Sequence, residues 1–419
     1  MAHPSGGRRL WQLGSAPPVP AVAAEAAERI AGALLNSVVG GSAAGGSGSP
    51  PRRRARFHTL VVQEVRPLTD DAIEVTFAVP EELAGEFDYL AGQHVALRAE
   101  LDGHEVRRSY SLCRPPVRDP STGSGTISVA IKRDRGGRFS TWAQTELHAG
   151  DSLDVMSPQG AFTSALAALD EVHVVGIAAG SGITPLMALA ATVLARSDTS
   201  RFTLVYTNRR ATDVMFLDDL ADLKDRYPAR FAVHHVLTRE QRSAPLLSGR
   251  IDEERLRGIL DALVLPATVD EWFLCGPFDL VQLCRDTLAD IGVESAHMRY
   301  ELFTTGDPGQ ERPEAGRPIE LREDEPVRTI VFTLDGQSGS VDTPVSANES
   351  ILNAALRVRP DVPFACAGGV CGTCRARLVD GSVTMTENYA LEQDELDRGY
   401  VLTCQSHPTT DRVVVDYDV

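Results

Sequence analysis

The sequence predicts a multidomain protein: an antiparallel β-barrel or sandwich, then an α/β domain on a parallel sheet, then a smaller α+β domain around a cysteine loop. Three observations predict it. From Phe57 to about Phe162, short β-rich runs (Leu60-Val61-Val62, Ile73-Glu74-Val75-Thr76-Phe77, Ile127-Ser128-Val129-Ala130-Ile131) alternate with Gly, Pro and Asp turns. From about Glu171 to Phe303, apolar strands alternate with helix-like stretches, the pattern of βαβ units. From Pro326 onward come short strands, one helical stretch near Ile351 to Leu356, and a dense cysteine run. The length of 419 residues suits about three domains. The expected divisions are 1–53, 54–165, 166–305, a polar Gly/Pro/Glu linker at 306–325, and 326–419.

Residues 1–53 are rich in Ala, Gly, Ser and Pro and hold too little bulky apolar surface to offset their ordering entropy, so disorder is expected, with a short helix possible over Ala21 to Leu35. The basic run Arg52, Arg53, Arg54, Arg56 reads as a solvated linker end. A formal net charge of −17 argues against nucleic acid as a partner. No stretch reaches the roughly 18–20 apolar residues of a membrane span. Arg8-Arg9 is followed by Pro17, Pro18, Pro20, Glu25 and Glu28 where an export signal needs an apolar core. Cys113, Cys275 and Cys284 are scattered and odd in number, unlike a disulfide framework. A reducing, cytoplasmic setting follows as the expectation.

Within the α/β region, the strand-like run Val172 to Ala178 flows into Ala179-Gly180-Ser181-Gly182-Ile183-Thr184-Pro185 and a helical stretch starting at Leu186. Glycines at a strand-to-helix turn let the backbone approach a pyrophosphate, whose charge the helix N-terminal amides favour. Pro185 suits a first helical turn. The run Phe202 to Tyr206 ends in Thr207-Asn208-Arg209-Arg210, and a later strand ends in Thr238-Arg239-Glu240. Arginine at such strand ends accepts the 2′-phosphate of NADP, which favours NADPH over NADH. Trp272-Phe273-Leu274 leads into Cys275-Gly276-Pro277 at another strand end, where open α/β sheets build their ligand crevice.

The cysteine run reads Cys366-Ala-Gly-Gly-Val-Cys371-Gly-Thr-Cys374, with Cys404 far downstream. That is the plant-type ligand spacing of a 2Fe–2S cluster. Gly368, Gly369 and Gly372 allow the loop to come close to the bridging sulfides and point amides at sulfur. A structural zinc site usually shows two short Cys/His pairs, which a triplet and a distant single cysteine fit poorly.

These motifs, in this order, resemble the ferredoxin–NADP reductase superfamily. In the β-rich region Arg108-Ser109-Tyr110-Ser111 is similar to that family's flavin motif, and Gly136-Gly137-Arg138-Phe139-Ser140 to its flavin-pyrophosphate loop. Spacing alone reads both segments as strand and turn. The resemblance implies an FAD-binding β-barrel, an NAD(P)H-binding domain and a β-grasp ferredoxin. It implies that Tyr110 packs on the isoalloxazine, Arg108 meets the pyrophosphate, Ser111 lies near flavin N5, and Gly137 and Ser140 line the phosphate side. Gly180, Gly182, Thr184 and Pro185 match the dinucleotide loop, Thr238-Arg239-Glu240 the 2′-phosphate segment, and Cys275-Gly276-Pro277 the nicotinamide-side motif. Tyr300-Glu301-Leu302-Phe303 resembles the segment that closes the flavin site, so Ser111, Cys275 and Glu301 are the expected catalytic group.

The domain order, with Thr386 to Glu392 and Gly399 to Gln405 after the cysteine loop, resembles one group of multicomponent oxygenase reductases, a layout that steroid-hydroxylase reductases share. This implies hydride uptake from NADPH, a flavin that splits the electron pair, a 2Fe–2S cluster that passes single electrons, and an oxygenase partner. Glu387, Glu392, Asp394, Glu395 and Asp397 are placed to steer a basic partner surface, or simply to keep the domain soluble. A non-enzymatic iron–sulfur redox sensor on the same fold is the alternative from another class.

Overall fold

The computed structural model describes residues 56–118, 125–134, 136–164, 169–303, 325–359, 362–364, 367–391 and 393–419. The expectations for residues 1–53, for the polar linker up to 324, and for Cys366 and Glu392 lie outside the described residues. Three main sheets make up the rest.

The first sheet is antiparallel, in the order β4-β3-β7-β1-β2-β6-β5. Its strands are β1 (Phe57–Thr69), β2 (Ala72–Val79), β3 (His94–Leu101), β4 (His104–Ser111), β5 (Val117–Arg118), β6 (Gly125–Lys132) and β7 (Ser152–Met156). Alternate residues face inward, so Leu60, Val62, Val75, Phe77, Val95, Leu97, Ile127, Val129, Leu153 and Val155 form one core. Pro67, which cannot donate to a ladder, sits at a register shift in β1. A bridge between Leu112 and Val129 joins the end of β4 to β6, and Cys113 N–H donates to the Ser128 carbonyl at 2.9 Å. That seam closes the sheet, so the structure is a barrel rather than a sandwich. Ser111 lies immediately before it.

The segment Gly136 to Ser140 departs from a plain strand-and-turn reading. A helix, Arg138–Thr145, starts inside it. Phe139 and Ala143 stand one helical turn apart and are both buried, so packing against the barrel decides the conformation.

The second sheet is wholly parallel, in the order β10-β9-β8-β11-β12: β8 (His173–Ala179), β9 (Arg201–Asn208), β10 (Phe231–Leu237), β11 (Glu271–Gly276) and β12 (Met298–Leu302). Both faces are covered. Val174, Ala178, Leu204 and Phe273 pack with the helix Ile183–Arg196, while Val175, Ile177, Val205 and Leu274 pack with Leu256, Val281 and Leu288. The chain runs outward from β8 to β10 and returns beside β8 as β11. The ends of β8 and β11 therefore flank a topological switch point, where such sheets hold ligands.

The third sheet is mixed, in the order β14-β13-β19-β15-β17, from β13 (Val327–Leu334), β14 (Gln337–Pro344), β15 (Arg375–Asp380), β17 (Tyr400–Leu402) and β19 (Arg412–Asp416). A separate pair joins β16 (Val383–Met385) to β18 (Ser406–Pro408). The helix Ile351–Leu356 starts where expected, and its N-cap Ser350 accepts from Asn353 N–H at 3.3 Å. Ile351, Leu352 and Ala355 pack on Ile330, Phe332 and Val413, and the same core includes Cys374 and Cys404. Among the described residues no helix is long and apolar enough to cross a membrane.

Candidate active site at the junction of three sheets

Ser111 arrives on the last position of β4, Cys275 near the end of β11, and Glu301 near the end of β12. Cys275 and Glu301 are register partners in adjacent parallel strands. Ser111 donates its hydroxyl to Glu301 Oε2 at 2.9 Å, linking the barrel to the nucleotide sheet. The fold thus brings together all three residues of the expected catalytic group. Glu301 is nearly buried, and burial pushes its carboxyl up to about 7, against the pull of the Ser111 hydroxyl and with the Cys371 thiol nearby. Burial also holds the Cys275 thiol well above its ordinary value, with Glu301 adding to the effect, so this group stays protonated.

His94 completes the group and has no signal in the local sequence pattern. It lies at the start of β3, with Nδ1 3.7 Å from Glu301 Oε1 and Nε2 3.5 Å from Thr373 Oγ1 in the cysteine loop. Burial lowers its imidazole to about 4, so at neutral pH this is a neutral contact and not an ion pair. An unfolded histidine titrates near 6.5. Between about pH 6.5 and 4 the unfolded chain binds a proton that folded His94 does not, so stability falls as the pH drops through this window. The expected cost at pH 5 is about 2 kcal/mol. Urea midpoints of the barrel at pH 7 and pH 5 check it: the difference should shrink in His94→Gln, and an unchanged difference would refute it.

The cysteine loop sits directly on this group. Cys371 packs against Ala96 and Met156 of the barrel, as does Phe57 at the start of β1. Arg107 lies over the Phe364 ring at 4.4 Å from its centroid and over Phe57 at 5.1 Å. On the nucleotide side, Val370 and Tyr389 pack against the sheet core, and Tyr389 meets Phe278 edge-on at 5.8 Å. One short loop therefore touches both neighbouring sheets beside Glu301.

Three of the four expected ligand thiols are described, and Cys374 and Cys404 share one core. Cys404 is held below its ordinary value first by its hydrogen bond with Cys374, with the Gly369 backbone amide also directed at it. Gly369 and Gly372 have φ of 78° and 68°, the left-handed conformation expected for a loop that closes on sulfur. Among the described residues, Cys113, Cys275, Cys284, Cys371, Cys374 and Cys404 form no disulfide.

At the switch point, Gly182 is forced into contact with β11: a Cβ there would lie 2.1 Å from the Cys275 carbonyl oxygen. Gly180 has φ of 55° and open space before it. Thr184 spends its hydroxyl on the Ser181 carbonyl at 3.0 Å, and Pro185 is buried in the first helical turn. These residues shape the turn, and the opening lies at Gly180. The hydroxyl of Thr207, at the end of β9, is buried with no partner, and exposed Arg209, Arg210 and Arg239 surround that strand end. Arg239 N–H donates to the Arg209 carbonyl at 2.8 Å, and Thr238 N–H to that of Asn208 at 2.9 Å, so the two segments form one rim. Gly276 is buried and Pro277 exposed at the mouth of the same crevice.

On the barrel, Tyr110 is half-buried against Phe139 at 5.9 Å. Arg108 is exposed, and one of its nitrogens donates to the Arg107 carbonyl at 2.7 Å. The buried Ser109 hydroxyl has no partner. Ser140 is buried and accepts from Asp134 N–H at 3.1 Å, so it braces the loop, while Gly136 faces open space with Gly137 at the helix start. An exposed guanidinium, a half-buried ring and an open glycine turn suit a flavin nucleotide.

Comparison with known proteins fits this geometry. The oxidoreductase FAD-binding domain family matches residues 59–164, the oxidoreductase NAD-binding domain family 177–286, and the 2Fe-2S iron-sulfur cluster binding domain family 332–409. The chain is 41% identical over 366 residues to one of the subunits of the 1,2-phenylacetyl-CoA epoxidase of Escherichia coli (strain K12), covering 86% of this chain and 98% of that protein. The chain belongs to the iron–sulfur flavoprotein reductases of multicomponent oxygenases. It is also 35% identical over 375 residues to the ferredoxin reductase component of 3-ketosteroid-9-alpha-monooxygenase of Mycobacterium tuberculosis (strain CDC 1551 / Oshkosh), covering 86% of this chain and 95% of that one. The fold is shared with an intact type IV self-sufficient cytochrome P450 monooxygenase, at a TM-score of 0.60 and 24% identity. There the match covers 86% of this chain and 41% of that structure.

As an oxygenase reductase the chain binds FAD, a nicotinamide dinucleotide and a 2Fe–2S cluster. When bound, a flavin accepts a hydride and gives up electrons singly, which links a two-electron donor to a one-electron cluster. The acidic residues near the cluster are not equivalent. Glu395 is paired with Arg375, whereas Glu387 and Asp397 are exposed. The side chain of Asp394 and the whole of Glu392 lie outside the described residues.

Proposed function

We propose that this reductase takes hydride from NADPH and delivers single electrons to the oxygenase component of a phenylacetyl-CoA epoxidase. One observation carries the electron route: the cysteine loop packs against the barrel beside the Ser111–Glu301 pair, where β4, β11 and β12 end together. Ser111 and Glu301 hold a proton between two oxygens at the nicotinamide end of the crevice. Cys275, Gly276 and Pro277 form the wall that orients the nicotinamide, and the turn Gly180 to Pro185 receives the pyrophosphate. Arg108, Tyr110, Gly137 and Ser140 hold the flavin side. Cys366, Cys371, Cys374 and Cys404 ligate the iron.

The choice of NADPH rests on Arg209, Thr238 and Arg239 at the shared rim of β9 and β10. An Arg239→Ala variant is expected to raise KM for NADPH about tenfold while leaving KM for NADH within about twofold, since one charge-assisted pair to phosphate is worth about 1.5–3 kcal/mol. Equal changes for both nucleotides in steady-state assays would refute the assignment. The choice of oxygenase rests on the 41% identity to the epoxidase component over 98% of its length, against 35% for the steroid-monooxygenase component. Reconstitution decides it. Purified reductase mixed with the epoxidase oxygenase component should consume phenylacetyl-CoA in an NADPH-dependent manner. Turnover only with a 3-ketosteroid oxygenase would give the second reading instead.

A further inference from the structure

Behind the reaction centre, four charged side chains from two domains meet. Arg66 on β1 and Glu74 on β2 are cross-strand partners, Arg114 follows the barrel seam, and Asp219 lies in the helix Leu217–Arg226 of the nucleotide domain. Glu74 is 4% exposed and lies between both guanidiniums. Its Oε1 accepts from Arg114 Nε at 2.5 Å, and its Oε2 from Arg114 Nη2 at 2.8 Å and Arg66 Nη2 at 2.7 Å. Asp219 closes the ring: Oδ1 accepts from Arg114 Nη1 at 2.6 Å and Oδ2 from Arg66 Nη2 at 2.9 Å. Arg114 also lies 5.4 Å from the centroid of Phe216, the buried residue just before this helix, which holds the left-handed conformation (φ 59°).

The charge count is the key. The barrel alone brings two guanidiniums and one carboxylate, a net positive set with a buried anion at its centre. Neutrality is reached only when Asp219 arrives from the other domain. Burial works against both carboxylates, yet the two guanidiniums outweigh it and hold Glu74 and Asp219 below their ordinary values. The surrounding contact is apolar: Ala72, Ala91, Cys113, Ala130 and Phe162 of the barrel region share one core with the nucleotide sheet. An apolar surface resists separation but permits sliding, whereas paired guanidinium–carboxylate bonds are directional. Arg114 stands three residues beyond Ser111 on the same stretch of chain.

We propose that the Arg66–Glu74–Arg114–Asp219 network is an alignment latch, with Asp219 a positioning residue that fixes the nucleotide domain's rotation against the barrel so that nicotinamide and flavin meet in hydride-transfer geometry. The inference rests on the hydride-transfer reading above. Displacement of about 1 Å costs up to about 100-fold in rate, so a remote latch can govern the chemical step without touching either nucleotide.

The test uses full-length holoprotein with flavin content matched to wild type. In anaerobic stopped-flow with NADPH, Asp219→Asn is expected to lower the limiting rate of flavin reduction about 10- to 100-fold, with the half-saturating NADPH concentration changed less than about twofold. Asp219→Glu, which restores the charge, should recover much of the rate. In calorimetry, wild type should unfold barrel and nucleotide domain in one transition and Asp219→Asn in two. Both results are required. A limiting rate within twofold of wild type, or a shared transition retained in the variant, overturns the latch. If Asp219→Asn fails to fold, Arg66→Lys, which keeps the charge but removes the planar fork that holds Glu74 and Asp219 together, is held to the same two criteria. Absence of NADPH-dependent flavin reduction in wild type would refute the hydride reading itself, a different failure.

Discussion

Cys404→Ser is expected to yield a protein that still reduces its flavin with nicotinamide nucleotide but delivers almost no electrons onward. Cys404 is 8% exposed, shares a core with Cys374, and stands in hydrogen-bond contact with that thiol. A serine hydroxyl keeps the volume and loses the soft thiolate that iron–sulfur clusters select. Bound iron and the visible absorption of the cluster should fall to near zero, and reduction of a one-electron protein acceptor should drop by about 100-fold or more. Flavin content should hold, because Tyr110 and Phe139 belong to another core. Iron analysis beside flavin absorbance makes the comparison. Full iron occupancy in the variant would remove Cys404 from the ligand set.

The second large effect lies at Gly182. An alanine Cβ would stand 2.1 Å from the Cys275 carbonyl oxygen, 2.5 Å from its carbonyl carbon and 2.9 Å from Gly276 N. All three are backbone atoms, so no side-chain rotation relieves the overlap. The helix Ile183–Arg196 must back away from β11, and overpacking of this kind costs about 1–3 kcal/mol. It also opens the wall shared by the pyrophosphate turn and the nicotinamide segment. Gly182→Ala should therefore slow nucleotide-driven flavin reduction by about 100-fold, and flavin binding should persist. Stopped-flow reduction and thermal unfolding together check this. A folded variant with a normal rate would show that the two segments need not touch.

Local pattern carried much of this architecture. The β-rich run Ile73 to Phe77 marks a strand, and the run Val172 to Ala178 before Gly180 marks a strand entering a phosphate-binding turn. Cysteine spacing identified the cluster loop because three of the expected ligands, Cys366, Cys371 and Cys374, lie on one short stretch of chain. What stayed hidden depends on distance along the chain. Nothing near His94 signals that it meets Thr373, and nothing near Asp219 signals Arg114. Arg107 reads as a neighbour of the flavin motif, yet its ring contacts are with Phe57 and Phe364. The helix at Arg138 was obscured because Phe139 and Ala143 reveal their common face only against the barrel. Chain-closing contacts of this kind arise from tertiary packing, which no short window contains.

The meeting of the cysteine loop with Glu301 bears on how such a polypeptide can be rearranged. More than half of the sequence separates Ser111 from Cys404 in the covalent order, yet Glu301 lies beside both the Ser111 hydroxyl and the Cys371 thiol. The path an electron takes is thus set by facing surfaces and is indifferent to the order in which the genetic message strings the modules together. A transposed or split version that preserved those surfaces would retain the same wiring.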